Sequence, residues 1–225
     1  MRSTTIVTVP GYHGSNEKHW QSWLERTCPD VSRVSGIDWE QPHLFAWAGA
    51  LEKHLDKLPG QVILVSHSFG ALVSALVAHW RADKVAGLIL AAPASPERFS
   101  LKGCRHEDED SISGFLPETS LDTLGVLIGS ENDPWLALND AKQLSQQWGL
   151  AFFNAGKAGH INVDSGYGEW PLLREFVDAL TDAIEPLPGD DISHLSSWNR
   201  SRRINQYSPT QPVPLQRKAV NLAYA

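Results

Sequence analysis

The alternation of apolar and polar residues changes period several times along the chain, and each change predicts an element. Residues 4–9 are a short β-branched run closed by Pro10-Gly11, which predicts a strand. Over 19–27, Trp20, Trp23 and Leu24 recur at helical spacing. A weak second strand is expected over 31–37. Residues 44–58 place Leu44, Trp47, Leu51, Leu55 and Leu58 on one stripe ahead of Pro59-Gly60, the pattern of an amphipathic helix and its stop. Residues 61–65 are almost unbroken apolar, as in a strand buried on both faces of a parallel sheet. The same reading gives helices over 70–81, 136–148 and 169–184, and strands over 85–91, 124–128 and 150–153.

Six strands alternating with helices imply a three-layer α/β fold with a mainly parallel sheet. Two stretches break the rhythm. Residues 93–123 show little periodicity and contain the acidic run Glu107-Asp108-Glu109-Asp110, so a cap or flap is expected there. Residues 186–225 are rich in Ser, Asn, Gln, Arg and Pro and poor in large apolar side chains. They are expected to form a polar, basic tail outside a domain spanning 1–185.

Composition narrows the class. With 225 residues, 42% hydrophobic and 20% charged, the chain is globular and long enough for a proper core. No apolar run reaches the roughly 18 residues of a membrane span. A strand begins within a few residues of Met1 and there are only two cysteines, Cys28 and Cys104, so a reducing cytoplasmic setting is expected. The net charge is −7; the stretch 192–225 carries +5, so residues 1–191 carry −12. An acidic body is a poor surface for nucleic acid, whose phosphates need basic contacts.

The segment Val65-Ser66-His67-Ser68-Phe69-Gly70 runs from a buried strand directly into a helix. A nucleophile elbow needs this arrangement, with small residues two before and two after the serine so that strand and helix can approach. Ser68 would then project its Oγ above the sheet, and the Phe69 N–H would face a developing oxyanion. The plainer reading is a serine-rich turn that caps the helix. A nucleophilic serine needs a base, and the base an orienter. Asp133 follows the strand 124–128, in Gly129-Ser130-Glu131-Asn132-Asp133-Pro134-Trp135, where it would serve as the acid or simply cap a helix begun by Pro134. His160 lies in the glycine-rich Gly156-Lys157-Ala158-Gly159-His160 after the next strand, with Asp164 as the reserve acid. Serine, acid and histidine thus fall in the order this fold uses, each at the carboxyl end of a strand. After the first strand, Gly11-Tyr12-His13-Gly14 offers a second oxyanion donor, the Tyr12 N–H or alternatively that of His13.

These segments carry a resemblance. Pro10-Gly11 through Ser15, His19-Trp20-Gln21 with Trp23, Ser66-His67-Ser68-Phe69-Gly70, Asn132-Asp133-Pro134 and Gly159-His160-Ile161-Asn162 resemble the retinoblastoma-binding-protein-9-like small serine hydrolases over about residues 4–184. The resemblance implies an α/β-hydrolase fold with a reduced sheet, nucleophile Ser68, acid Asp133 and base His160. It also implies that Ser15, His19 and Trp20 shape the entrance loop; His13, His67 and Trp135 complete the pocket candidates. The Leu-x-Cys-x-Glu motif is absent around both cysteines, so a retinoblastoma-type partner is not supported.

No His-x-x-x-His pair, Gly-x-Gly-x-x-Gly or P-loop motif occurs, so neither a metal nor any other cofactor is expected. The expected activity is carboxylesterase-like hydrolysis of a small or medium ester, or of an amide, through an acyl-enzyme. The rival is a non-catalytic interaction module that retains the fold.

Overall fold

The computed structural model describes residues 4–185 apart from Pro29; the expected tail over 186–225 lies outside the described residues. Six strands, β1 (Thr5–Val9), β2 (Val31–Arg33), β3 (Val62–His67), β4 (Val85–Ala91), β7 (Leu124–Gly129) and β8 (Ala151–Asn154), form one sheet in the order β2-β1-β3-β4-β7-β8. Every pairing in it is parallel. The helices are α1 (Trp20–Thr27), α2 (Leu44–Leu55), α3 (Phe69–Trp80), α4 (Leu138–Gln147) and α5 (Pro171–Ile184).

The alternation of side chains along each strand feeds two cores. Val62 and Leu64 of β3, with Leu88 and Leu90 of β4, pack with Leu44, Trp47, Leu51, Leu72 and Leu76 of α2 and α3. Ile63, Val65 and Ile89 point the other way, toward Trp20 and Leu24 of α1 and Leu173, Phe176 and Leu180 of α5. Burial on both faces explains the unbroken apolar runs of the central strands. Each such side chain contributes roughly 1.5–3 kcal/mol.

Several ends differ from the sequence reading. β2 stops at Arg33, short of the expected 37, because the chain turns through Gly36 at φ 80°. α2 ends at Leu55, and Leu58 reaches the core from the tight turn that follows. β3 continues through Ser66 and His67, whose polar side chains are buried with partners. Asp133-Pro134 does not begin a helix: α4 starts at Leu138 with Ala137 before it. The stretch 93–123 is irregular but ordered around a small antiparallel hairpin, β5 (Phe99–Ser100) and β6 (Gly103–Cys104). Phe99 and Ile112 from this stretch are buried in the core. Partly buried Glu109 ties it together: it accepts from Ser100 Oγ and the His106 N–H and lies beside Lys102, and these contacts, Ser100 first, hold its carboxyl down at about 2.

Candidate active site

Ser68 occupies the single residue between β3 and α3, with φ 54° and ψ −125°. Positive φ at a non-glycine residue is strained by about 1–3 kcal/mol and persists only where the surroundings enforce it. Here the Ser68 N–H donates to Ala91 O at 3.2 Å, and the Ser68 carbonyl accepts from the Ala71 N–H at 3.0 Å. Two glycines make room. A Cβ on Gly70 would lie 2.2 Å from Pro10 O, and one on Gly11 would lie 2.6 Å from Ser68 Cβ. Ser66, where a glycine is usual, fits because its hydroxyl pairs with Ser74 Oγ at 2.6 Å. Ser68 makes no side-chain bond to the helix it precedes, so its Oγ is not used as a cap.

That Oγ lies 2.9 Å from His160 Nε2, and His160 Nδ1 lies 2.9 and 3.0 Å from the two Asp133 oxygens. Ser68 and His160 are 7% and 8% exposed, and the Asp133 side chain 2%. Asp133 Oδ1 also accepts the Trp135 N–H at 2.8 Å, which sets the carboxylate's orientation without a helix. A serine–imidazole–carboxylate chain of this geometry can draw the proton from Oγ onto Nε2 while the carboxylate steadies the charged ring.

Polar groups to which the sequence reading gave no role hold the acid loop against the histidine loop and tie the histidine loop to itself. Asn132 Oδ1 accepts the Gly159 N–H at 2.7 Å, Ser130 Oγ accepts the Ala158 N–H at 3.0 Å, and Ser165 Oγ accepts the His160 N–H at 3.1 Å. The position of Asn132 beside Asp133 was the one available signal; Ser130 and Ser165 carried none. Asp164, the reserve acid, is exposed at the rim of the cleft, and its side chain makes no hydrogen bond to His160.

A cleft of about 380 Å³ opens above Ser68 and is lined by Tyr12, His13, His19, His67, Phe99 and Trp135 among others. Ser15 and Trp20 do not line it. Ser15 is bound to Gln21 Oε1 behind the wall, and Trp20 is fully buried, because the amphipathic face of α1 packs inward onto the sheet. The His13 N–H donates to Trp39 O at 2.9 Å, whereas the Tyr12 N–H has no partner among the described residues. His13's ring is exposed and pairs with Glu40 at 2.8 Å. His19 caps α1, its Nδ1 accepting the Gln21 N–H at 3.2 Å; burial, then Arg33 and His160, lowers its pKa to about 4. Burial also holds His67 well below the ordinary histidine value, with His160 and His19 acting in the same direction.

A parallel sheet in which the loops carrying Ser68, Asp133 and His160 all leave strand carboxyl ends has the α/β-hydrolase fold. Residues 6–179 match the serine hydrolase family, and the chain belongs to it. Hydrolase activity is what this family and the structural relatives support. A YdeN-like hydrolase from Pectobacterium atrosepticum is 33% identical, with TM-score 0.69, over 79% of this chain and 92% of that one. The ydeN gene product of Bacillus subtilis is 19% identical, with TM-score 0.61, over 79% and 98%. The mouse alpha/beta hydrolase domain-containing protein 10 shares the fold at 18% identity and TM-score 0.58, over 80% and 90%. No curated protein matches the chain by sequence. Among the described residues, no helix is long and apolar enough to cross a membrane.

Proposed function

We propose that the chain hydrolyses small or medium carboxylic esters, and amides less readily, through an acyl-enzyme on Ser68. The observation that carries this reading is the continuous contact from Ser68 Oγ through His160 to Asp133. Ser68 Oγ attacks the substrate carbonyl carbon as its proton passes to His160 Nε2. The tetrahedral oxyanion is met by the N–H groups of Phe69, at the first turn of α3, and of Tyr12; the engaged His13 amide favours Tyr12 as the second donor. Collapse breaks the bond to the alkoxide, which leaves with the proton from Nε2. Water then attacks the acyl-enzyme, gives a proton to His160 and releases the carboxylic acid, and the proton returns to Oγ. Asp133 keeps the Nδ1–H tautomer throughout. None of these steps calls for a cofactor.

A cleft of about 380 Å³ suits a small or medium acyl group. The two free cysteines, Cys28 and Cys104, fit a reducing compartment, and we place the protein in the cytoplasm. We also retain the narrower kinship to the retinoblastoma-binding-protein-9-like hydrolases, on the motifs quoted above.

The test is labelling by a fluorophosphonate probe together with turnover of a panel of nitrophenyl esters. Ser68→Ala should abolish labelling and lower turnover by several orders of magnitude, leaving only binding and oxyanion stabilisation. Near-normal turnover in that variant would overturn the assignment. A wild type that neither labels nor turns over any ester would favour the interaction-module reading.

A further inference from the structure

Two side chains outside the proposed proton relay grip the loop that carries His160. His67 donates its Nε2–H to the carbonyl of His160 at 2.8 Å, and the two rings lie 4.8 Å apart between centroids. Trp20 of α1 donates its indole N–H to the next carbonyl, that of Ile161, also at 2.8 Å. Between those carbonyls Ile161 has φ 49°. A β-branched residue in the left-handed region is a genuine outlier, and such strain persists only where neighbours over-determine it. Both donors are buried, Trp20 at 0% and His67 at 5% exposure.

The protonation of His67 follows from the contact. A carbonyl only accepts, so the proton sits on Nε2, and burial keeps the ring from taking up a second one.

We infer that His67 and Trp20 are positioning residues: by holding the carbonyls of His160 and Ile161 they fix the strained turn that aims His160 Nε2 at Ser68 Oγ. This rests on the proposed role of His160 as the base. The N–H side of His160 is held separately by Ser165. Removing the His67 donor leaves a buried carbonyl unpaired. The simplest relief is rotation of the peptide between His160 and Ile161, which relaxes the φ of Ile161 and swings the imidazole away from Ser68. Misplacement of a reacting group by about 1 Å reduces rate by about a hundredfold.

A residue that acts through His160 leaves a signature that packing does not. The experiment measures kcat and KM for a nitrophenyl ester in His67→Met, His67→Gln and Trp20→Phe, each alone and combined with His160→Ala. His67→Met should lower kcat about ten- to a hundredfold with KM within about twofold. His67→Gln, whose amide N–H can reach the same carbonyl, should recover most of the loss. Trp20→Phe, which keeps a large ring without the donor, should show the same kcat-weighted loss. In the His160→Ala background all three should change turnover by less than about twofold, because the group they position is gone.

Equal loss in the Met and Gln variants, or undiminished loss in the His160→Ala background, would make these packing residues and overturn the inference. A loss confined to KM would do the same by assigning His67 to substrate binding. If His67→Met does not fold, Trp20→Phe carries the test through an independent contact. Wild-type turnover that does not depend on His160 removes the proposed Ser68–His160 mechanism and this inference together; His160-dependent turnover with additive His67 and Trp20 losses removes the inference alone.

Discussion

At the scale of single residues, the acid is the assignment most open to a sharp test. Asp133 and Asp164 flank His160 in the chain, and sequence spacing admits both. Asp133 is buried on Nδ1, while Asp164 sits exposed at the cleft rim. Asp133→Asn keeps the shape and the Trp135 N–H contact but can present an amide N–H to Nδ1. That stabilises the tautomer whose proton is already on Nε2, which cannot accept from Ser68. Turnover should fall by up to roughly 10⁴ with the melting temperature little changed, whereas Asp164→Asn should stay within about threefold of wild type. Steady-state kinetics on both variants decide it; the opposite order moves the acid to Asp164. The proposed serine, histidine and candidate acids stand out in the sequence because each lies beside punctuation that sequence displays: Gly70 after Ser68, Pro134 after Asp133, Gly159 before His160. The resemblance implies an entrance role for Trp20, but α1 turns that side chain onto the sheet, where it is fully buried.

At the scale of elements, the strand–turn–helix of β3 and α3 shows how little freedom the site has. The first turn of α3 crosses the end of β1 so closely that Gly70 has no room for a methyl group beside Val9 O and Pro10 O, at 2.5 and 2.2 Å. Backbone oxygens do not yield as flexible side-chain tips do. Gly70→Ala should therefore destabilise the fold by more than about 2 kcal/mol in urea unfolding and disable the elbow, even though alanine is ordinarily the better helix former. A gain in stability would mean that α3 does not approach β1 in this way. The central strands could be read in advance because apolar runs buried on both faces carry their own signal, whereas the edge strand β2, a partly buried Val-Ser-Arg, carries only a weak one. Their ends could not. β3 continues through Ser66 and His67 because Ser74 and His160, 8 and 93 residues away, satisfy their side chains. Partners that distant leave no local trace. The hairpin over 99–104 was hidden for the same reason: Phe99 belongs to the cleft and packs on Phe69, 4.6 Å between centroids, across a long separation in sequence.

For the whole molecule, the histidines in the cleft wall link the site to stability in acid. His19 and His67 are both buried and neutral, and the unfolded chain would present them as ordinary histidines that protonate below about 6.5. In the folded protein His19 takes up its proton only near 4, because burial and then Arg33 and His160 disfavour the charge, and because its Nδ1 already accepts the first N–H bond of α1. Between those two values the unfolded state binds more protons, so stability rises with pH across that window and is lost as pH falls through it. For His19 the gap corresponds to roughly 3 kcal/mol, a large fraction of the 5–15 kcal/mol typical of a domain. His67 adds in the same direction. Glu109 titrates in a separate and lower window, since its folded pKa of about 2 lies below an ordinary 4.5 and its contribution fades only as pH drops beneath that value. Urea unfolding at several pH values from 7.5 to 4.5 should therefore show a progressive loss beginning near 6.5, before carboxylates titrate. His19→Asn retains a side-chain acceptor for the α1 cap but has no group that titrates there, so its stability should fall less steeply over the same range. Equal slopes for wild type and His19→Asn would show that His19 is solvated well enough to protonate in place, and that the acid sensitivity of this fold lies elsewhere.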